Sequence, residues 1–154
     1  MRYWRTNEDH HWARPGVGVA TCVGGRIVTE TLVVRHGVRI LRCAANGPKL
    51  RTDHDAVDVI ARALESWAQL VVVPVPRLDS DFFVLRSRVA GEIVQKFVNY
   101  RLQLAIVGDI TQQLAESSAL RDFVSETNRG NQLWILASPA ELEVRVASLG
   151  AQRQ

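Results

Sequence analysis

The sequence has few of the residues that mark disulfide-rich, metal-binding or membrane proteins. Its two cysteines, Cys22 and Cys43, have the spacing of neither a zinc site nor a disulfide framework, so a reducing compartment is expected. No apolar run reaches the roughly 18 residues of a membrane span. The N-terminus also lacks the apolar core of a signal peptide. These absences predict a cytoplasmic protein without a membrane segment.

The sequence also lacks the short motifs of common enzymes. It has no phosphate loop, no GxGxxG fingerprint and no GxSxG nucleophile elbow. Beyond residue 32 the only histidines are His36 and His54, which do not support a Ser-His-Asp or Cys-His arrangement. A binding module is therefore better supported than an enzyme, and no cofactor is predicted.

Positive charge is concentrated near the start of the chain. Residues 1–50 hold eight Lys and Arg against three Asp and Glu, whereas the remainder holds eleven against thirteen. A uniformly basic nucleic-acid-binding surface is therefore not indicated. Nucleic-acid binding through the basic N-terminal segment stays open as a weaker hypothesis.

Residues 1–32 differ from the rest because no hydrophobic period is sustained and because they hold Pro15 and four of the ten Gly. We interpret them as an irregular, poorly ordered leader. The alternative is a start codon assigned too far upstream. His10 and His11 do not predict a metal site, because adjacent side chains on an extended segment point apart. Residues 33–150 are predicted to form a single α/β domain, followed by a tail over residues 151–154.

From residue 33 onward, helical and buried-strand patterns alternate. In Asp81 to Asp109, pairs of apolar residues every four positions predict a helix, and the following LQLAIV predicts a strand covered on both faces. The whole order, (β)βαβαβαβα, predicts an α/β fold. Its sheet is expected to be a single layer, mixed but mostly parallel, with helices packed against it.

Two features of the predicted helices concern their packing. The first helix, capped by Thr52 or Asp53, is predicted to bury an apolar stripe. Gly91 interrupts the second helix, which indicates close approach to the sheet or to a partner, or else a tolerated defect. The predicted stripe of the first helix consists of Val57, Ile60, Ala61, Leu64 and Trp67.

Three runs carry a resemblance to a known family: NGPKLRTDHDAVDVIARALE, DFFVLRSRVAGEIVQKFVNYRLQLAIVGD and SSALRDFVSETNRGNQ. They resemble the bacterial domain of unknown function 4180 family, over roughly residues 33–150. That family has no established activity, so the resemblance implies no function.

The element order also resembles STAS-type domains, the fold of anti-sigma-factor antagonists. In those domains a Ser or Thr at the start of the second helix can be phosphorylated to break a partner contact. Ser87 stands at the comparable place, although the flanking Arg86 and Arg88 depart from the antagonist pattern. The alternative for Ser87 is a simple capping or surface residue.

The carboxyl ends of parallel strands share one edge of a sheet, where ligands commonly bind. Asp79, Asp81 and Asp109 are expected at this edge, and their oxygens suit Mg²⁺. They give an alternative function, a small Mg-dependent hydrolase or ligand-binding enzyme. Arg51 and Arg77 join them, either to bind an anion or to pair with the acids. The acids could equally cap turns and the helix.

Polar turns that follow the helices are expected at the opposite edge. They indicate either a surface for a partner or simple helix capping. The leading hypothesis is thus a non-catalytic protein-binding or regulatory module of STAS-like architecture that binds a protein partner or forms a homodimer. The candidates for the partner surface are Ser87, Asn99, Arg101, Glu126, Asn128 and Arg129, with Tyr100 and Asn131 beside them.

Overall fold

A mixed six-stranded sheet organises the protein, and its strands lie in chain order. The computed structural model describes residues 17–23, 26–45 and 49–153. The first two strand pairs are antiparallel and the other three are parallel. The predicted α/β class and mostly parallel sheet are therefore confirmed. The strands are β1 (Val17–Val23), β2 (Arg26–Arg35), β3 (Val38–Arg42), β4 (Leu70–Pro74), β5 (Gln103–Val107) and β6 (Leu133–Leu136).

Four of the five helices follow the predicted positions, and the fifth, α3, is a short helix in a segment that the predicted order left as a loop. β5 lies between two parallel neighbours as LQLAIV indicated. Three short 3₁₀ turns, between Val75 and Ser87, fill the connection after β4. None of the helices in the described ranges combines the length and apolar character needed to span a bilayer. The helices are α1 (Asp53–Glu65), α2 (Val89–Asn99), α3 (Thr111–Glu116), α4 (Ser118–Arg129) and α5 (Pro139–Arg153).

Both faces of the sheet are covered, and each has its own core. Right-handed crossovers between sequential parallel strands place α1, α2 and α4 on the same face. There Ile60, Ile93 and Leu120 pack on the sheet. On the other face α5 buries Leu142 and Val146. As a result, the loops that join strands and helices lie at two opposite edges of the domain. One edge is at the carboxyl ends of the parallel strands, and the other is at their amino ends.

Two strands lie in the segment that the sequence indicated as irregular. β1 and the first part of β2 fall before residue 33, and β1 pairs with β2 from Val17↔Leu32 to Val23↔Arg26. The local pattern missed them because strand pairing, rather than sustained alternation, defines these strands. Residues 1–16, including His10 and His11, lie outside the described residues. The predicted boundary at residue 32, between an N-terminal leader and the α/β domain, therefore stays a prediction.

The predicted buried stripe of α1 is confirmed at Ile60 and is wrong by about one residue elsewhere. The buried side chains are Ala56, Val59, Ile60 and Ala63, which are spaced as one helical face. The prediction favoured large apolar residues, but small alanines let α1 pack closely on the sheet. As a consequence Leu64 is 45% exposed and Trp67 is 79% exposed.

Candidate functional site

The carboxyl edge, formed by the loops after β3, β4, β5 and β6, carries the three predicted acids. Asp79 is half-buried, whereas Asp81 and Asp109 are exposed. Within the described ranges, no three His, Cys, Asp or Glu side chains lie close enough together to hold a metal ion. The structure therefore does not bring Asp79, Asp81 and Asp109 together as the expected Mg²⁺ site.

Asp109 has a local structural role at this edge. Its Oδ1 accepts hydrogen bonds from the Thr111 backbone N–H at 2.9 Å and from Thr111 Oγ1 at 2.5 Å. These two bonds, the side-chain bond first, hold the pKa of Asp109 below its ordinary value. Asp109 thus caps the turn before α3, in agreement with the alternative interpretation of this residue as a turn cap.

The two arginines expected at the carboxyl edge occupy different environments. Arg77 is buried, and its Nη1 donates to the Ala44 carbonyl oxygen at 2.9 Å. Its own carbonyl accepts from the Leu50 N–H at 2.7 Å. Arg51 is exposed, and its backbone N–H donates to the Asp55 carboxylate at 2.9 Å. Arg77 therefore ties the β3–α1 connection to the segment after β4.

A buried ion pair that the sequence did not indicate lies beside this connection. Glu30 on β2 is completely buried, and both of its carboxylate oxygens lie 2.7 Å from Arg62 Nε on α1. Cys43 is buried nearby, and burial first, then the Glu30 charge, raises the pKa of its thiol to about 12. The thiol is therefore protonated at neutral pH and is a poor nucleophile.

The opposite edge of the sheet, called here the amino edge, collects the loops that precede β3, β4, β5 and β6. At this edge the exposed Glu126 and Arg129 side chains form an i, i+3 pair at 3.5 Å. Asn99 accepts a hydrogen bond from Gln95 at 2.9 Å. Ser87 lies at the other end of α2, where its Oγ donates to the Asp81 carbonyl at 2.7 Å and accepts from the Val89 N–H at 3.3 Å. Ser87 thus caps the start of α2.

Asn128 is a structural residue and does not present its amide to a partner. Its Oδ1 accepts from the Ile135 N–H at 2.8 Å, and its Nδ2 donates to the Ile135 carbonyl at 3.0 Å. Because β6 is an edge strand, these groups have no neighbouring strand on that side. The side chain therefore substitutes for a seventh strand at this position.

We expect Asn128→Ala to lower the free energy of unfolding by about 2 kcal/mol, because it leaves the N–H and C=O of the buried Ile135 without partners. Urea denaturation measures the loss. Asn99→Ala is the matched control, since it removes only an exposed amide bond. Equal stability of the two variants would contradict the structural role of Asn128.

The ends of α1 and α2 have the same unusual conformation. Trp67 has φ 61° and Arg101 has φ 58°, in the left-handed region that favours glycine. In each case the backbone N–H of the following residue donates to the carbonyl oxygen of the residue five positions earlier. The bonds run from Ala68 to Ala63 and from Leu102 to Phe97, both at 2.9 Å. This is the Schellman helix end, in which glycine is the usual residue.

Trp67 projects from a loop that is held in place. Arg39 Nη2 donates to the Ser66 carbonyl at 2.8 Å, and Arg39 Nε donates to the Trp67 carbonyl at 3.1 Å. On the neighbouring loop Tyr100 is 47% exposed and Arg101 is exposed. The loops after α1 and α2 are neighbours, because the strands that follow them pair at Leu70↔Gln103 and the Gln103 N–H donates to the Gln69 carbonyl at 3.1 Å. We call Leu64, Trp67, Tyr100 and Arg101 the amino-edge patch.

The mixed sheet and this exposed patch define an α/β domain with a candidate interaction surface. Residues 35–146 match the model of a domain of unknown function, DUF4180. Since the match covers well over half of the chain, the protein belongs to this family, and the resemblance drawn from the sequence is confirmed. No curated protein and no solved structure matches the chain.

Proposed function

We propose that this protein is a cytoplasmic, non-catalytic protein-binding module of STAS-like architecture that docks its partner on the amino-edge patch. The observation that carries the proposal is the exposed Trp67 in a backbone conformation suited to glycine. Arg101 repeats that arrangement on the adjacent loop. Trp, Tyr and Arg are also the residue types that contribute most to protein interfaces.

The backbone strain at Trp67 and Arg101 supports a role for these two residues outside folding. A side chain in the left-handed region costs roughly 1–2 kcal/mol relative to its preferred conformation, and glycine avoids that cost. The exposed ring of Trp67 cannot recover this energy through complete burial within the domain. A tryptophan and an arginine at two such positions are best explained by contacts with another molecule.

Electrostatics favours a protein partner over a nucleic acid at this surface. α1, α2 and α4 all end at the amino edge, so the partial negative charges of their C-termini meet there. The exposed Glu65 and Glu126 are balanced by the exposed Arg101 and Arg129 at the same edge. These four side chains therefore give no net positive charge to attract phosphates, whereas an apolar protein surface can cover Trp67 and leave the charges at the rim.

The experiment compares the full chain with its Trp67→Gly variant. We expect the variant to be about 1 kcal/mol more stable, because glycine suits the helix end, and to lose partner binding. Affinity capture from the native lysate and sedimentation velocity detect a heterologous partner and a homodimer, respectively. Val144→Ala on α5, where the side chain is 71% exposed, is the control and should bind as the unmodified chain does.

Two results would contradict the proposal. One is a partner or dimer that Trp67→Gly retains with unchanged affinity. The other is monomeric sedimentation together with no captured protein. Ser87 plays no part in this test, because it lies at the opposite end of α2 from the amino-edge patch.

A further inference from the structure

A groove of about 710 Å³ runs along the exposed side of α2, separate from Trp67 of the amino-edge patch. Its apolar lining includes Leu85, Ala90 and Phe123, and its charged lining includes Asp53, Arg88, Glu92 and Lys96. Gly91 also faces this space, and a Cβ added there would meet no atom within 4 Å. Close approach to the sheet therefore does not explain Gly91. The volume lies within the range of about 300–1,000 Å³ that is usual for small-ligand sites.

The charges of the groove are partly paired. Lys96 Nζ lies 3.8 Å from Asp53 Oδ2, so these two charges offset each other. Arg88 and Glu92 form no salt bridge with each other or with any other charged group in the described part of the chain. The groove therefore offers one open cation and one open anion beside an apolar surface.

The positions of these two charges restrict the ligand. Arg88 directly precedes α2 and Glu92 lies in its first turn, where the Glu92 N–H donates to the Arg88 carbonyl at 3.0 Å. Both side chains line the groove, about one helical turn apart along the chain. The free termini of an extended dipeptide are roughly 7 Å apart, whereas the two charges of a single amino acid are closer together. A carboxylate beside Arg88 also lies at the positive end of the α2 dipole.

We propose that this groove binds a dipeptide with apolar side chains. The dipeptide carboxylate contacts Arg88, its ammonium group contacts Glu92, and its side chains lie against Leu85 and Phe123. Arg88 itself has a φ of 66°, a strained conformation for a residue at the start of a helix. The site is independent of the proposed protein-binding function, because its lining includes no residue of the amino-edge patch.

Isothermal titration of the full chain with leucyl-phenylalanine tests the proposal. We expect saturable binding, and binding about 10- to 100-fold weaker for N-acetyl-leucyl-phenylalanine amide, which lacks both charges. Arg88→Gln and Glu92→Gln should each weaken binding of the free dipeptide by a similar factor. Gly91→Trp should abolish it, because Gly91 lines the groove and has open space at its Cβ position, so the indole would occupy the groove.

Two control variants show whether the dipeptide binds in this groove. Arg86→Gln removes an exposed arginine outside the groove lining, so its affinity should be unchanged. Trp67→Gly should also retain dipeptide binding, which keeps the outcome distinct from that for the amino-edge patch. Any one of three results would overturn the proposal: no saturable heat at millimolar dipeptide, equal affinity for the blocked analogue, or unaltered binding by Gly91→Trp.

Discussion

Replacement of Gly108 by alanine should lower the free energy of unfolding by about 3 kcal/mol, a large share of the roughly 5–15 kcal/mol of a typical domain. Gly108 follows β5 with φ 151°, a conformation that side chains rarely adopt. An added Cβ would lie 2.6 Å from Val75 Cγ2 and 2.8 Å from Val75 Cβ. Strain and overpacking therefore act together, and chemical denaturation measures their sum.

A second glycine provides the control for Gly108→Ala. Gly91 lies inside α2 with open space around it, so Gly91→Ala should raise stability by about 0.5–1 kcal/mol through helix propensity alone. A Val75→Ala substitution in the Gly108→Ala background should recover part of the loss, because it removes the contact with Val75 Cγ2 and leaves the contact with the Cβ of residue 75. A Gly108→Ala protein as stable as the unmodified chain would show that the β5 end does not pack against Val75.

Loss of the Glu30 carboxylate should destabilise the protein by about 3–5 kcal/mol. In Glu30→Ala the Arg62 guanidinium loses the two oxygens that lie 2.7 Å from its Nε. It then remains a largely buried charge without that partner. Urea denaturation, with the transition followed by circular dichroism, measures the change.

The reason for that loss can be tested with a double variant. Glu30→Leu combined with Arg62→Leu removes both charges, so its stability should return to within about 1–2 kcal/mol of the unmodified chain. Glu126→Ala breaks an exposed pair and should change stability by less than about 0.5 kcal/mol. A Glu30→Ala effect no larger than that of Glu126→Ala would exclude a buried ion pair.

The Glu30–Arg62 pair also bears on the hypothesis of nucleic-acid binding through the N-terminal segment. Deletion of residues 1–32 would remove Glu30 together with β1 and most of β2, so it would disturb the domain as well as the basic charges. Replacement of Arg2, Arg5 and Arg14 by alanine tests that hypothesis without removing the ion pair.

Local sequence patterns predicted helix starts and strands well where a single residue type determines the local structure. Thr52 caps α1 and Ser117 caps α4, because a hydroxyl next to free N–H groups acts within a few residues. The aliphatic run at β5 predicted a strand covered on both faces, as observed. The same reasoning placed Trp67 in the core, although helix α1 has already ended before Trp67.

The candidate site was less predictable, because its residues depend on partners far along the chain. Topology correctly assigns the loops to two edges of the sheet. Sequence alone could not show that Asn128 bonds to Ile135 or that Arg39 holds the loop before Trp67. The sequence did contain one signal, an aromatic residue near the end of each of two predicted helices: Trp67, the last member of the predicted stripe of the first helix, and Tyr100 at the end of the second.

The sequence by itself determined the order of helices and strands, because hydrophobic period and capping act over a few neighbouring residues. Only the tertiary structure decided which face of α1 is buried, that Glu30 is enclosed with Arg62, and that the three acids stay apart. These outcomes depend on packing and charge pairing between residues that are distant in the chain. Local patterns contain no information on such distances.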